Sequence, residues 1–113
     1  MSFSEIEKIA FTTEIEQYLE KIKPTGAASK KIKHSYFIEK NHIIIQETYY
    51  SSKDNVFTTD VAKFEYSHQS QKWKVYWRRS DDKWYLYNKN ELYNDLSTAI
   101  YHVDKDINGC FWG

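Results

Sequence analysis

Three glycines and one proline in 113 residues leave this chain almost without conventional turn markers. That scarcity argues against a disordered or linker-rich chain, and it leaves no room for a Gly-rich phosphate loop, a Walker motif or a G-x-S-x-G elbow. The single cysteine, Cys110, excludes an internal disulfide. The longest strictly aliphatic run is Ile43-Ile44-Ile45, far too short to span a membrane. The opening Met-Ser-Phe-Ser-Glu-Ile-Glu lacks the apolar run of a signal peptide, so a soluble cytoplasmic protein is expected. No repeat or low-complexity segment breaks the chain, and its formal net charge of zero argues against non-specific nucleic-acid binding by the chain as a whole.

What is abundant is aromatic. Phe, Trp and Tyr make up 18% of the residues while Leu appears four times, so burial must rest on rings and on eleven Ile. The length suits one domain over residues 1–113, able to close a core without metal or disulfide. Charge is unevenly spread. Residues 23–40 hold five Lys against Glu39, and 71–79 hold Lys72, Lys74, Arg78 and Arg79 unopposed, whereas the two ends are acidic.

Ser4 followed by Glu7 is a capping box, and Phe11, Ile15, Tyr18, Leu19 and Ile22 recur at helical spacing behind it. Ile6, Ile9 and Ala10 lie on another face, which predicts a bend near Thr12-Thr13 or a helix buried on two sides. Pro24 ends the helix, because the residue before a proline avoids helical geometry. Residues 31–39 and 42–50 read as a hairpin about Lys40-Asn41, with Ile38 opposite Ile43, Tyr36 opposite Ile45 and His34 opposite Glu47. Phe37 and Ile44 pair on its other face, which predicts a hairpin that is central or covered on both sides. Residues 51–55 read as a loop.

Residues 60–68 and 72–79 read as a second hairpin about Ser70-Gln71, and 84–88 return across Asp81-Asp82. This reading places Phe64 opposite Trp77, Tyr66 opposite Val75, Trp77 opposite Leu86 and Tyr76 opposite Tyr87. Trp73, Val75, Trp77, Trp84 and Leu86 then share one face. Asp95 caps a last helix bearing Leu96, Ala99, Ile100 and Val103, and Phe111 and Trp112 are too apolar to dangle from the end. The expected fold is α+β: a five-stranded antiparallel meander in the order α-β-β-β-β-β-α, with an N-terminal and a C-terminal helix packed on one face.

Trp73-Lys74-Val75-Tyr76-Trp77-Arg78-Arg79, Lys83-Trp84, Tyr87, Val103-Asp104-Lys105-Asp106 and the terminal Gly109-Cys110-Phe111-Trp112-Gly113 resemble a bacterial family catalogued as domain of unknown function 3024. The resemblance runs from the first helix to Gly113. It implies a small single-domain bacterial protein and transfers no activity.

Of the candidate sites, the sheet face away from the indoles is the broadest. It is expected to carry Lys74, Tyr76, Arg78, Tyr85 and Tyr87, with Lys33 nearby. Tyr and Arg anchor protein interfaces, and the same interleaving of cations and rings can grip single-stranded nucleic acid; plain solvated surface uses these residues too. Asp104-Lys105-Asp106-Ile107-Asn108-Gly109 matches half of an EF-hand loop, but position 12, its bidentate Glu, would fall at residue 115. A helix end with Gly109 at positive φ explains the same letters. Cys110 with His102 fits no recognised nucleophile signature, and His34, His42, His68 and His102 lack zinc spacing. No catalytic residue, metal or cofactor is therefore assigned. The residues favour a non-enzymatic binding module acting through protein contact or as a homodimer, with single-stranded nucleic-acid binding as the alternative and a thiol enzyme as the third reading.

Overall fold

Ser4 opens helix α1 (Glu5–Lys21) with a reciprocal capping box. Its hydroxyl accepts from the Glu7 N–H at 3.2 Å, and the Glu7 carboxylate accepts from the Ser4 N–H at 2.8 Å. The fold is that of a computed structural model, which describes residues 2–52, 55–89 and 91–113. A 3-10 turn at Gly26–Lys30 leads into β1 (Ile32–Glu39), β2 (His42–Ser52), β3 (Asn55–Ser67), β4 (Lys72–Arg78) and β5 (Trp84–Leu86), and α2 (Leu96–Lys105) follows. The strands form one open sheet in the order β1-β2-β3-β4-β5, every neighbouring pair antiparallel. The α-β-β-β-β-β-α meander is thus the fold, and among the described residues no helix is long and apolar enough to cross a membrane.

Both helices pack on one side of the sheet. Ile15 and Tyr18 of α1 and Leu96, Ala99, Ile100 and Val103 of α2 meet Ile43, Ile45, Phe64, Trp73 and Val75 there. Trp73 is 2% exposed, with Phe11 edge-on to it at 4.8 Å. Burying a large apolar side chain this fully stabilises by roughly 1.5–3 kcal/mol. The Asp95 carboxylate accepts from the Thr98 N–H at 2.8 Å and so caps α2. Helix α1 runs unbroken past Thr12 and Thr13, and Ile6 and Ile9 on its outer face stay 81% and 69% exposed. The second buried side does not occur.

The first hairpin has the expected pairing of Ile38 with Ile43, Tyr36 with Ile45 and His34 with Glu47. It is not central, however: β1 is an edge strand and Phe37 is exposed, although Ile44 beside it is buried. Of the expected loop at 51–55, Ser51, Ser52 and Asn55 continue the strands, while 53 and 54 lie outside the described residues.

The two later hairpins differ from expectation by their turns. Ser67 pairs with Lys72 across a four-residue loop, so Phe64 faces Val75, Tyr66 faces Trp73 and Ala62 faces Trp77. A two-residue loop about Ser70-Gln71 would have moved the register by two, which keeps every side chain on its face. The β4–β5 turn has an odd difference. Arg79 donates its N–H to the Lys83 carbonyl at 3.1 Å, closing a three-residue loop whose last member, Asp82, takes φ 61°. Tyr76 therefore faces Leu86, Trp77 faces Tyr85 and Arg78 faces Trp84. One extra turn residue turns β5 over, so Trp84 and Leu86 lie on the helix-free side and not with Trp73, Val75 and Trp77.

The tail docks as its apolar residues required. Asp106, at φ 47°, receives the N–H groups of Phe111, Trp112 and Gly113 at 3.0, 2.8 and 3.1 Å. Phe111 is buried, and the Trp112 indole N–H donates to the Tyr18 hydroxyl at 3.2 Å.

Candidate functional site: a helix-free sheet face and its overhanging arm

Lys74, Tyr76 and Arg78 alternate along β4 and come together on the helix-free face. Tyr85 and Tyr87, expected beside them, lie on the helix side. Tyr85 stands against Trp77, its hydroxyl donating to Asp81; Tyr87 packs on Phe111 at 5.0 Å and accepts from the Asn108 amide. The free face gains instead Lys63, which lies 4.7 Å from the Tyr76 ring centre and 5.2 Å from that of Trp84. Arg78 sits 4.9 Å from the same indole. Lys33, at the far edge, lies 5.7 Å from the ring of Tyr50.

Arg78 and Lys74 on this face are matched by carboxylates from within the fold. The Arg78 guanidinium contacts Asp60 at 3.3 Å, and Gln46 donates to the same carboxylate at 2.8 Å. Lys74 is paired across the ladder with Glu65, which also accepts from the Tyr76 hydroxyl at 3.0 Å and pairs with His42 at 2.9 Å. Burial raises the Glu65 carboxyl, but the hydrogen bonds from His42 and Tyr76 with the charges of His42 and Lys74 outweigh it and leave it below its ordinary value. Burial, with the Glu65 hydrogen bond behind it, pushes the Tyr76 phenol up to about 12. The face is a set of satisfied pairs laid over rings, not an open row of cations.

Beyond this network the sheet narrows. Strand β3 runs from Asn55 to Ser67, but β4 pairs with it only from Ala62 to Ser67. Residues Val56–Val61 thus keep β2 on one side and, among the described residues, no strand on the other. Tyr49 faces Phe57 and Tyr50 faces Val56 across this two-stranded arm, and all four are exposed. A notch between the open edge and the β4–β5 turn is lined by Thr58, Thr59, Asp60, Arg78, Arg79 and Ser80. The sequence did carry a signal for the arm: Val56-Phe57-Thr58-Thr59 is β-branched and aromatic throughout.

The remaining candidates have structural partners. Cys110 is half-buried, and burial followed by the Asp106 charge pushes its thiol above its ordinary value, away from the reactive thiolate. His102 lies against Tyr93 at 4.9 Å. His34 pairs with Glu47 at 3.1 Å as its register required, and His68 pairs with Glu7 at 3.0 Å. Asp104 contacts Lys21 at 3.5 Å while Asp106 holds the tail, so the half EF-hand letters serve packing; Gly109 takes φ 65°. Among the described residues no three metal-ligating side chains cluster.

No curated protein and no solved structure shows a significant match to the chain. A family model described as Domain of unknown function (DUF3024) matches residues 3–113, which include both helices, all five strands and the docked tail, and the chain belongs to that family.

Proposed function

We propose that this protein is a non-enzymatic binding module acting through protein contact, and that the β2–β3 arm is its contact surface. One observation carries the reading: along the open edge Val56, Phe57, Thr58 and Thr59 offer no charge and no proline, and the bulge at Val61 and the Asp60 carboxylate guard only its inner end. Edges are ordinarily guarded by Lys, Pro, shortness or a covering element. Here the edge residues Val56, Phe57, Thr58 and Thr59 are uncharged and exposed. By contrast, the free edge strand β1 carries Lys33 and Glu39, and β5 is three residues long. Tyr49, Tyr50 and Phe57 supply rigid rings of the kind that anchor interfaces.

Sedimentation across a concentration series, alongside capture of cell proteins by wild type and by a Val56→Glu, Phe57→Lys double variant, tests this. The expected result is a complex, with itself or with a defined partner, that the arm variant loses. A strict monomer whose captured set is unchanged by the variant ends the reading.

A further inference from the structure

We infer that the occupant of the open β3 edge is a second copy of this chain, the two β3 strands pairing antiparallel about a two-fold axis at Phe57. The inference rests on the protein-contact reading above and names its partner. Residues directly opposite in an antiparallel ladder share a face. A two-fold axis perpendicular to the sheet therefore sets one residue opposite itself, and the inner end of the open edge limits which residue that is.

At the inner end, β4 begins to occupy the edge at Ala62, opposite Trp77. An incoming hairpin must stop short of it. Centring on Thr58 would set the charged Asp60 opposite the partner's Val56. Centring on Phe57 keeps Val56, Phe57 and Thr58 of each copy together, short of Asp60 and the bulge at Val61. Val56 then stands opposite the partner's Thr58, and Phe57 opposite the partner's Phe57.

The side chains suit that register. Phe57 is already paired with Tyr49 on the helix-bearing side of the sheet. Adding the partner continues the row as four rings across four strands, Tyr49 and Phe57 from each copy. Phe57, 57% exposed in the isolated chain, loses most of that exposure. Cross-strand aromatic pairs of this kind stabilise a ladder beyond their burial alone. On the other side, Val56 of each copy meets the partner's Thr58.

Electrostatics permits self-pairing. Val56, Phe57, Thr58 and Thr59 carry no charge, and the whole chain sums to zero, so two copies approach without net repulsion. An acidic or basic partner strand would find no complement along these four residues. Joining the edges yields one ten-stranded sheet with all four helices on the same side, and it covers the exposed, uncharged stretch Val56–Thr59.

The test uses the full chain. Wild type should sediment with a concentration-dependent rise to twice the monomer mass, up to a few hundred micromolar. Phe57→Lys places two ammonium groups opposite each other on the axis and should stay monomeric, with the melting temperature of wild type at dilutions where wild type is itself monomeric, because Phe57 is exposed. In a Cys110→Ser background, Phe57→Cys should cross-link to a covalent dimer on diamide oxidation, since directly opposite residues lie within disulfide reach. Tyr101→Cys, exposed on α2, should not. A wild type that stays monomeric, or a dimer indifferent to Phe57→Lys, overturns the second copy. If the monomer nonetheless binds a defined partner that Phe57→Lys abolishes, the arm is a contact surface for another chain and only the identity of the occupant fails.

Discussion

Arg78 stands directly opposite Trp84 across the β4–β5 ladder, its guanidinium carbon 4.9 Å from the indole centre. The pair exists because the turn before it has three residues, and it puts Trp84 on a face where no helix covers it. Trp73, two-sided partner of Phe11 and Tyr66, is in the core instead. The two tryptophans should respond differently to truncation. Trp73→Ala removes a fully packed ring and should cost about 3–5 kcal/mol, whereas Trp84→Ala should cost about 1–2 kcal/mol. A double-mutant cycle of Arg78→Ala with Trp84→Ala should return a coupling of about 0.5–1 kcal/mol. Urea unfolding curves give all three values; equal losses at Trp73 and Trp84 would contradict the placement.

Gln71 ends the β3–β4 turn at φ 56°, with its N–H donated to the Ser67 carbonyl at 2.7 Å. The left-handed region costs a residue with a Cβ about 1–2 kcal/mol, and glycine adopts it freely. Gln71→Gly should therefore stabilise the protein by up to about 1 kcal/mol, after the greater chain entropy that glycine gives the unfolded state. A melting temperature raised by a few degrees is the readout; a fall would mean that the Gln71 side chain does more than occupy the turn.

Those same turns explain what could and could not be read in the sequence. Periodicity alone placed α1, α2 and the five strands, because a stripe such as Ile15, Tyr18 and Leu19 has only one folded use. The first hairpin was legible to the residue, since its turn at Lys40-Asn41 has the commonest length. The other two turns have less common lengths, and like the first, with Lys40, they put a residue other than glycine, Gln71 or Asp82, at the positive φ that glycine would have marked. Without that marker their lengths were open. An error of two at Ser70-Gln71 left every face intact, whereas an error of one at Asp81-Asp82 reversed β5 and split the proposed binding residues. The arm was hidden for another reason: Ser51 to Asn55 is polar enough to read as a loop, and strand overhang depends on where β4 stops, which no property of β3 announces.

The split has a consequence for nucleic acid. Stacking along a strand needs rings and cations on one track, and Tyr85 and Tyr87 are on the far side from Lys74, Tyr76 and Arg78. Arg78 and Lys74 also face Asp60 and Glu65. Fluorescence anisotropy of a labelled single-stranded oligonucleotide at low salt should stay flat up to high protein concentration. Binding that weakens steeply with salt and disappears in Arg78→Ala would restore that reading.

Asp106 gathers three backbone N–H groups from residues 111–113, and with them holds Phe111 against Tyr87 and Trp112 against Tyr18 and His34. Hydrogen bonds to a charged acceptor contribute about 1.5–3 kcal/mol each at most. Asp106→Ala also meets the cost of its positive φ, so the change is best read against Asp106→Asn, which tolerates that conformation. Asn should lose about 1 kcal/mol and Ala about 2–3 kcal/mol. Both should redden the tryptophan emission as Trp112 meets water. Unchanged emission in Asp106→Ala would show that the tail is held by Phe111 packing alone.

Tyr93 is buried against Trp73, whose backbone it brackets by reciprocal hydrogen bonds of 2.8 and 2.9 Å, yet its hydroxyl has no hydrogen-bond partner among the described residues. Asn88 lies near it without reaching hydrogen-bond geometry. Burial, then the charge of Glu91, pushes its phenol up to about 12. A raised phenol means that the fold favours the neutral form. Its contribution is complete below the unfolded value of about 10 and is lost as pH climbs through about 12. Tyr93→Phe removes a desolvated hydroxyl at no cost in hydrogen bonds, so at neutral pH it should be neutral or stabilising by up to about 1 kcal/mol. Tyr76→Phe, which breaks the bond to Glu65, should instead lose about 1 kcal/mol. Between about pH 10 and 12 the Tyr93→Phe protein should lose stability less steeply than wild type, because one phenol that would otherwise ionise on unfolding is gone. Urea midpoints followed by circular dichroism at neutral and alkaline pH separate the effects. A Tyr93→Phe variant weakened at neutral pH would mean that its hydroxyl is satisfied after all, and the alkaline difference would then have another source.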